Sequence, residues 1–109
     1  MPQVLKPNNT NAIAATATSQ ARAFPTSLPG DCAAFYNDGP GLAFVYMDGS
    51  TAVATLPALS TNVGAQGNAT PIPVGASINL THAPTDTHWA VICLAGGTAN
   101  VYCTTGVGF

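Results

Sequence analysis

The fold is decided by the stretch LAFVYMDGSTAVAT, which spans residues 42–55. Residues 42–47 are almost all bulky and apolar, so a strand formed here would carry apolar side chains on both faces. Asp48-Gly49 follows at once, and this dipeptide is a strong signal for a tight hairpin turn. We therefore expect residues 50–55 to return as the partner strand of a β-hairpin.

The residues that precede this stretch predict a second hairpin. Residues 32–37 are typical of a strand, and the sequence DGPG at residues 38–41 is a turn signal. Because the runs 32–37 and 42–47 flank one turn, we expect them to pair through a slightly longer loop.

The second half of the chain continues the pattern of short strands. Residues 76–81 (ASINLT) alternate with period two, which predicts that Ile78 and Leu80 point inward and the polar residues point outward. Residues 89–94 (WAVICL) are fully apolar and indicate a central strand. The turn AGGT at residues 95–98 predicts that residues 99–104 form a hairpin with that central strand.

The spacing of these segments predicts an all-β fold. No helical periodicity is found beyond residue 21, and six or seven short strands are separated by Gly/Pro turns. We expect residues 21–109 to form one small β-sandwich or a jelly-roll-like barrel, two forms that the sequence does not separate. Residues 56–71 are long and polar for a loop, which is typical of a contact or variable segment.

Residues 1–20 have a different composition from the rest of the chain. Residues 7–20 are mainly Ala, Thr, Asn and Ser and lack a periodic pattern of large apolar residues. A flexible tail is one interpretation. We favour an extended N-terminal arm that becomes ordered against a neighbouring subunit, because small uncharged residues suit packing along another protein.

The scarcity of charge is the most unusual feature of the composition. Charged residues make up 6% of the 109 residues, against 47% hydrophobic residues, and there is no glutamate. A soluble domain normally carries charge on about 25% of its residues. The six charged residues are Lys6, Arg22, Asp31, Asp38, Asp48 and Asp86. A surface with so few charges predicts that partner chains cover much of it.

The same numbers exclude several classes of function. Two cations and a net charge of −2 argue against nucleic-acid binding and against electrostatic attachment to a membrane. No apolar run approaches the ~20 residues of a membrane-spanning helix. The first residues (MPQVLKP) contain no apolar core of a signal peptide, so we expect none.

The sequence contains no convincing active site or metal site. His82 and His88 are six residues apart without a CxxC motif, and Asp86 and His88 lie in one predicted turn. We therefore expect no catalytic residues, no metal and no cofactor. Three cysteines, an odd number, favour free buried thiols, although a bridge between Cys93 and Cys103 is possible if their strands pair.

Aromatic residues are the remaining candidates for binding. Phe35, Phe44, Tyr46, Trp89 and Tyr102 lie in predicted strands, where core packing is the usual role. An exposed tyrosine or tryptophan among them would instead be an interface anchor or a carbohydrate platform.

Several segments resemble small structural proteins of tailed bacteriophages. Tyr36-Asn37-Asp38-Gly39 is similar to their "YN-x-G" strand end, and it is followed here by an "AFV" strand at residues 43–45 and a "GDS"-like turn at residues 48–50. Residues 71–75 (PIPVG) resemble their "PIPAG" turn. Residues 101–108 (VYCTTGVG) resemble their "VYVTPGEG" terminus. The resemblance covers residues 18–109, and the chain departs from it by cysteines at 93 and 103 and by a valine at 107.

The resemblance implies a virion component, a capsid decoration or cement protein that stabilises the head by bridging capsid subunits. Its partners would be the major capsid protein and further copies of itself, as a dimer or trimer, on the exterior of a capsid made in the bacterial cytoplasm. We predict contacts to the capsid or to other subunits at Ile13, Arg22, Phe24 and Phe109.

Three alternatives remain open at this point. The chain would also suit a head–tail joining, tail or fibre-associated subunit, because a fold does not fix the place of action. A carbohydrate-binding module would use Trp89 or Tyr102 at a sheet edge, and would need those rings to be exposed. An enzyme would need His82 or His88 within hydrogen-bond reach of an aspartate and a hydroxyl group.

Overall fold

The computed structural model describes residues 6–25, 32–57, 67–81, 83 and 85–107, which contain eight β-strands and no helix. The strands are β1 (Lys6–Ala15), β2 (Gln20–Ala23), β3 (Cys32–Pro40), β4 (Ala43–Asp48), β5 (Thr70–Ile72), β6 (Ser77–Thr81), β7 (His88–Cys93) and β8 (Ala99–Val107). The all-β class predicted from the sequence is confirmed.

The strands form two four-stranded antiparallel sheets. The first sheet has the order β1-β8-β3-β6, and the second has the order β2-β7-β4-β5. Each strand of the first half therefore pairs with its counterpart counted from the other end of the eight: β1 with β8, β2 with β7, β3 with β6 and β4 with β5. This is one long antiparallel hairpin rolled into two layers, a jelly-roll β-sandwich.

The core lies between the two sheets. Phe35 of the first sheet and Trp89 of the second are both fully buried, and their ring centroids are 5.6 Å apart with a tilt of 53°. Such a tilted aromatic pair adds about 0.5–1.5 kcal/mol to the gain from burial alone. Smaller side chains surround the pair, chiefly Val45, Ile72, Val91, Cys93, Val101 and Cys103.

Two predictions about strand position are confirmed. In β6, Ile78 and Leu80 pack against the core and the polar residues between them are exposed. β7 is an inner strand of the second sheet, and its residues Trp89, Val91 and Cys93 are fully buried in the core.

The hairpin predicted around Asp48-Gly49 is wrong. A turn is present, since the backbone N–H of Ala52 donates to the carbonyl of Gly49, but residues 52–57 are not a strand. Instead, Ala52 and Ala54 pack against Ala90, on the side of β7 that faces away from the main core. Small side chains allow this segment to lie flat over the second sheet. Its alanines are buried there although the segment is not paired as a strand.

The other two predicted hairpins are wrong for a shared reason. Residues 41–42 connect β3 to β4 and residues 94–98 connect β7 to β8, and in both cases the two strands belong to different sheets. A turn signal identifies where the chain reverses, but the sheet that the next strand joins depends on long-range packing.

The N-terminal region also differs from the prediction. Residues 6–15 do not form a separate arm: they are β1, paired along its length with β8 from Lys6↔Val107 to Ala15↔Ala99. Ile13 and Ala15 are 7% and 1% exposed in the core of the same chain. An edge strand needs few inward apolar side chains, so its small-residue composition concealed it.

A buried asparagine joins the two sheets at one end of the sandwich. The Asn37 side chain is fully buried, and its Nδ2 donates to the carbonyls of Gly41 (2.9 Å) and Ile72 (2.8 Å). Its Oδ1 accepts the backbone N–H of Gly39 at 2.8 Å. Asn37 lies in β3 of the first sheet and Ile72 in β5 of the second, so this amide holds the crossing in place.

Glycine is required at two turns that contact Asn37. Gly39 has φ +87°, and a Cβ there would lie 2.8 Å from Cγ1 of Val74. Gly75 has φ +79°, and its N–H donates to the carbonyl of Asn37 at 2.7 Å. Other residues rarely adopt this left-handed conformation.

We predict that Asn37→Asp lowers the free energy of unfolding by about 3 kcal/mol or more at pH 7. A carboxylate cannot donate to the carbonyls of Gly41 and Ile72, and it would be a buried charge. The measurement is urea denaturation. The control is Asn100→Asp, an exposed position in β8, which should change stability by no more than about 0.5 kcal/mol. Equal losses in both variants would contradict the structural role of the Asn37 amide.

We predict that Thr105→Val raises the free energy of unfolding by about 1 kcal/mol. The Thr105 Oγ1 is buried and has no hydrogen-bond partner within the described residues, so the substitution removes an unsatisfied polar group at nearly constant volume. The control is Thr104→Val, because the Thr104 hydroxyl is bonded to that of Thr10 at 2.8 Å. Thermal or urea denaturation should show a gain for residue 105 and none for residue 104.

Candidate contact face

The outward side of the first sheet carries exposed and half-buried side chains on all four strands, and we call it the outer face. Its side chains alternate along each strand with the buried ones. They are Thr10, Ala12 and Ala14 of β1, Cys32, Ala34 and Tyr36 of β3, Ser77, Asn79 and Thr81 of β6, and Asn100, Tyr102 and Thr104 of β8. Apart from the two tyrosines, all of them are small or of medium size, and none is charged.

The two sheets differ in how their outward sides are covered. On the second sheet, Ala52 and Ala54 cover Ala90, and the N–H of Ala54 donates to Ser19 Oγ at 2.9 Å. On the first sheet, the alternate residues of β6 and of the inner strand β8 are exposed or half-buried. Within the described residues, a segment of the chain covers the second sheet, whereas the outward side chains of the first sheet stay exposed or half-buried.

Two tyrosines stand at the centre of the outer face. Tyr36 of β3 lies directly opposite Tyr102 of β8, with ring centroids 6.4 Å apart and a tilt of 34°. They are 40% and 39% exposed, which is high for inner strands. Ala12 and Ser77 flank the pair in the neighbouring strands, so the rings project above small neighbours.

One pair of threonines beside the tyrosines is hydrogen-bonded across the sheet. The hydroxyls of Thr10 and Thr104 are 2.8 Å apart across the β1–β8 ladder. One charge lies at the end of this face: Asp38 is exposed two residues after Tyr36 in the same alternation of β3, beyond the last residue paired with β6. A partner that covers the face only as far as Tyr36 desolvates no ion, and desolvating an ion is the costly step in burying a polar surface.

The predicted contact residue Arg22 lies on the surface and also joins the two sheets. It is exposed on β2, and its Nη1 donates to the carbonyl of Ala12 in β1 at 2.9 Å. In the opposite direction, Asn11 of β1 donates through Nδ2 to the carbonyl of Ala23 in β2 at 2.9 Å. The two bonds join the edge strands of the two sheets on one side of the sandwich.

A groove of about 510 Å³ lies beside these bonds. It is lined by Thr10, Asn11, Arg22, Ala23, Phe24 and Pro25. The Asn11 amide is already engaged on both sides, since its Oδ1 also accepts the indole N–H of Trp89 at 3.1 Å. The groove therefore lies where the hydrogen bonds between β1 and β2 close the edge of the sandwich.

The other predicted contact residues are not on the described surface. Ile13 and Phe24 are 7% and 8% exposed and belong to the core, so they are not available for contact with another subunit. Phe109 lies outside the described residues. Sequence reasoning missed Tyr36, although the alternation in β3 contains the signal: if Phe35 points inward, Tyr36 must point outward.

The described hydrogen bonds of His88 and Asp86 are local. The His88 Nδ1 is 2.8 Å from Thr87 Oγ1, and Asp86 accepts the N–H of Ala83 within a turn. A search of the described residues finds no group of three His, Cys, Asp or Glu residues that could hold a metal ion. His82 lies outside the described residues. Among the described segments, none is a helix of the length and hydropathy needed to cross a membrane.

A hydrogen-bonded tyrosine and aspartate lie at the end of β4, away from the Asn37 crossing at its start. The Tyr46 hydroxyl donates to Asp48 Oδ2 at 3.1 Å. This hydrogen bond, together with the negative charge of Asp48, raises the pKa of Tyr46. Asp48 Oδ1 also accepts the N–H of Gly49, so the carboxylate is used in forming the turn.

All three cysteines are free. Cys93 and Cys103 are fully buried in opposite sheets, and Cys32 is half-buried on the outer face. Burial raises the pKa of the Cys103 thiol to about 12, and it also raises the pKa of Cys93. Both buried thiols are therefore protonated and unreactive at neutral pH.

Comparison of the chain with protein-family models, with curated proteins and with solved structures finds no match.

We predict that the protein loses stability as the pH rises above about 8.5. The unfolded Cys103 thiol ionises near its ordinary pKa, whereas the folded thiol stays protonated until about pH 12. Its contribution is complete below the unfolded pKa and falls by about 1.4 kcal/mol per pH unit above it. Urea denaturation between pH 7 and pH 10 measures this slope, and Cys103→Ala should reduce it. An unchanged slope in that variant would show that another group controls the alkaline transition.

Proposed function

We propose that the protein is a non-enzymatic structural protein of a bacteriophage virion, a decoration or cement protein on the exterior of the head. Its partners in this proposal are the major capsid protein and other copies of itself. The observation that carries the proposal is the outer face, a sheet surface with two exposed tyrosines at its centre and one charged residue, Asp38, at the end of β3.

The chemistry of the outer face suits contact with protein. The cores of protein interfaces are depleted of charged residues and enriched in tyrosine, and the rest of the contact supplies hydrogen bonds. Here Tyr36 and Tyr102 are the large side chains, and threonine, serine and asparagine surround them. Aromatic residues at the centre of a patch commonly carry most of the binding energy.

The low charge of the whole chain supports the same proposal. A particle shell consists of many copies, so a small gain per contact is repeated many times. Each contact gains about 25 cal/mol for every Å² of apolar surface buried, before the costs of ordering are subtracted. With six charged residues in 109, the chain has few ions to desolvate when partners cover it. Stabilisation of this kind needs no catalytic group.

The fold agrees with the proposal as an analogy. Jelly rolls recur in viral capsid proteins, but also in lectins and cupins. The fold therefore raises the expectation of a virion role without establishing it. The sequence resemblance to phage structural proteins is the reason for preferring a virion role over the other roles of this fold.

Two other roles fit parts of the structure. A head–tail joining, tail or fibre-associated subunit could use the same outer face, and copy number separates it from a decoration protein. A carbohydrate-binding module could use the Tyr36–Tyr102 pair as a stacking platform for a neutral sugar. Trp89, the other ring considered for that role, is fully buried and does not support it.

We predict that the purified protein saturates undecorated phage heads at hundreds of copies per particle, and that Tyr102→Glu weakens this binding at least about tenfold. The substitution places a charge at the centre of the outer face, where it must be desolvated on contact. Sedimentation of protein–head mixtures measures bound copies against free concentration. The matched control is Val53→Glu, an exposed position 55% accessible on the segment that covers the second sheet.

Each outcome of this experiment has a defined meaning. Saturation at about a dozen copies or fewer would place the protein at a vertex, portal or tail and overturn the decoration role. No binding, together with retention on a neutral polysaccharide that Tyr102→Glu abolishes, would favour the carbohydrate module. Equal weakening by Val53→Glu would show that the outer face is not the contact surface.

A further inference from the structure

We infer that the free edge of β6 pairs with β6 of a second copy of this chain, in antiparallel orientation about a two-fold axis. The two first sheets would then become one continuous eight-stranded sheet. The inference deepens the proposed self-association by naming its surface, and the test below uses the purified protein without heads.

An open sheet edge presents unpaired N–H and C=O groups and invites another strand, so proteins normally protect their edges. The edge strand β1 of the first sheet carries several such protections. It contains Pro7 and a register shift between Pro7 and Asn9, and its Ala12 carbonyl accepts a hydrogen bond from Arg22. A strand that added to β1 would have to displace that guanidinium.

Both edges of the second sheet are protected as well. β2 has only four residues, and it includes the charged Arg22. β5 has three residues, and Pro71 in its middle has no N–H to donate. Short length, charge and proline are the usual ways of preventing edge-to-edge pairing.

β6 lacks these protections. Its five residues, SINLT, contain no proline, glycine or charged residue, and its register with β3 runs without a shift from Cys32↔Thr81 to Tyr36↔Ser77. It is the last strand in the order of its sheet. Among the four sheet edges in the described part of the chain, it alone is regular and unprotected.

The sequence of β6 is complementary to itself in antiparallel pairing. A two-fold axis through Asn79 places Asn79 opposite the second copy's Asn79, Ser77 opposite Thr81, and Ile78 opposite Leu80. On the outer face this aligns hydroxyl with hydroxyl and amide with amide, and Thr–Ser pairs of this kind hydrogen-bond across strands. On the inner side it aligns two apolar residues.

The inner pairing also accounts for an incomplete part of the core. Ile78 and Leu80 pack against the core but remain only partly buried, and β6 is the last described strand of its sheet. A second β6 would cover their open sides. Since β6 carries no charge, the symmetric contact brings no like charges together.

The dimer would enlarge the outer face without changing it. The faces of the two copies would adjoin across β6, and the tyrosine pairs would lie on the same side of one extended sheet. A bivalent decoration unit would gain avidity if both faces reached the capsid together.

The first test is the concentration dependence of mass in sedimentation equilibrium. We expect the apparent mass to rise from 10.9 kDa towards twice that value with increasing concentration. A contact of one short strand pair is small, so the transition should fall at about 10–500 µM. Asn79→Lys places two like charges at the axis and should weaken dimerisation at least about tenfold. The control is Asn100→Lys, which adds the same charge to the inner strand β8 and should leave dimerisation unchanged.

The second test fixes the register by disulfide trapping in a Cys32→Ser background. Asn79→Cys should form a crosslinked dimer under mild oxidation, because residues directly opposite in antiparallel strands have Cα atoms about 4.5–5.5 Å apart, within the range of a disulfide. Thr81→Cys should not, because its copies would be about 14 Å apart along the strands.

Two outcomes would overturn the inference: a monomer across the whole concentration range, or a dimer that Asn79→Lys leaves intact. Crosslinking through Thr81→Cys and not Asn79→Cys would overturn the proposed register. These results are separate from the proposed function, because a monomer can still bind heads and a dimer can fail to do so.

Discussion

The position of both sheets depends on the buried amide of Asn37. Its two N–H groups reach the carbonyls of Gly41 and Ile72, and its oxygen accepts the N–H of Gly39. These bonds connect β3, the crossing to β4, and β5, which means that one side chain fixes where the chain passes between layers. The crossing places β4 in the second sheet, and every later strand pairs in accordance with that choice. A buried amide of this kind contributes specificity, since its bonds can be made in one arrangement of the chain.

A second asparagine, Asn11, joins the two sheets on the side of the sandwich where β1 and β2 lie. Asn11 of β1 accepts the indole N–H of Trp89 and donates to the carbonyl of Ala23, and thus joins the first sheet to β7 and β2 of the second. Arg22 returns a bond from β2 to β1. The chain therefore uses one of its two cations to close a sheet edge. On this side of the sandwich, hydrogen bonds from side chains to backbone carbonyls close the edge.

Five of the eight described strands (β3, β4, β6, β7 and β8) could be predicted from the sequence, but their pairing could not. Period-two alternation located β6, and the apolar run located β7, because side-chain direction in a strand is a local property. The Asp48-Gly49 turn was recognised as well. The partner of β4 was missed, since Ala52 and Ala54 cover Ala90 from outside and no local pattern distinguishes a covering segment from a strand. β1 was missed because its edge position requires only Ile13 and Ala15 to face the core. The role of Asn37 was detectable in part: an asparagine in phase with Ala33 and Phe35 has to be buried, and a buried amide needs partners.

The candidate site follows from the same asymmetry between the two sheets. The segment after β4 folds back over the second sheet and buries Ala90 on its outward side, whereas Tyr36 and Tyr102 on the first sheet remain exposed. The positions of Tyr36 and Tyr102 face outward, and in an isolated monomer a polar residue such as threonine or lysine would suit such positions. Two adjacent tyrosines on inner strands, surrounded by small uncharged residues, keep that surface easy to desolvate. Because the rolled hairpin places β3 next to β8, the pair can form only after the two ends of the chain have come together. The surface best suited to contact another molecule is thus also a surface that exists only in the completed fold.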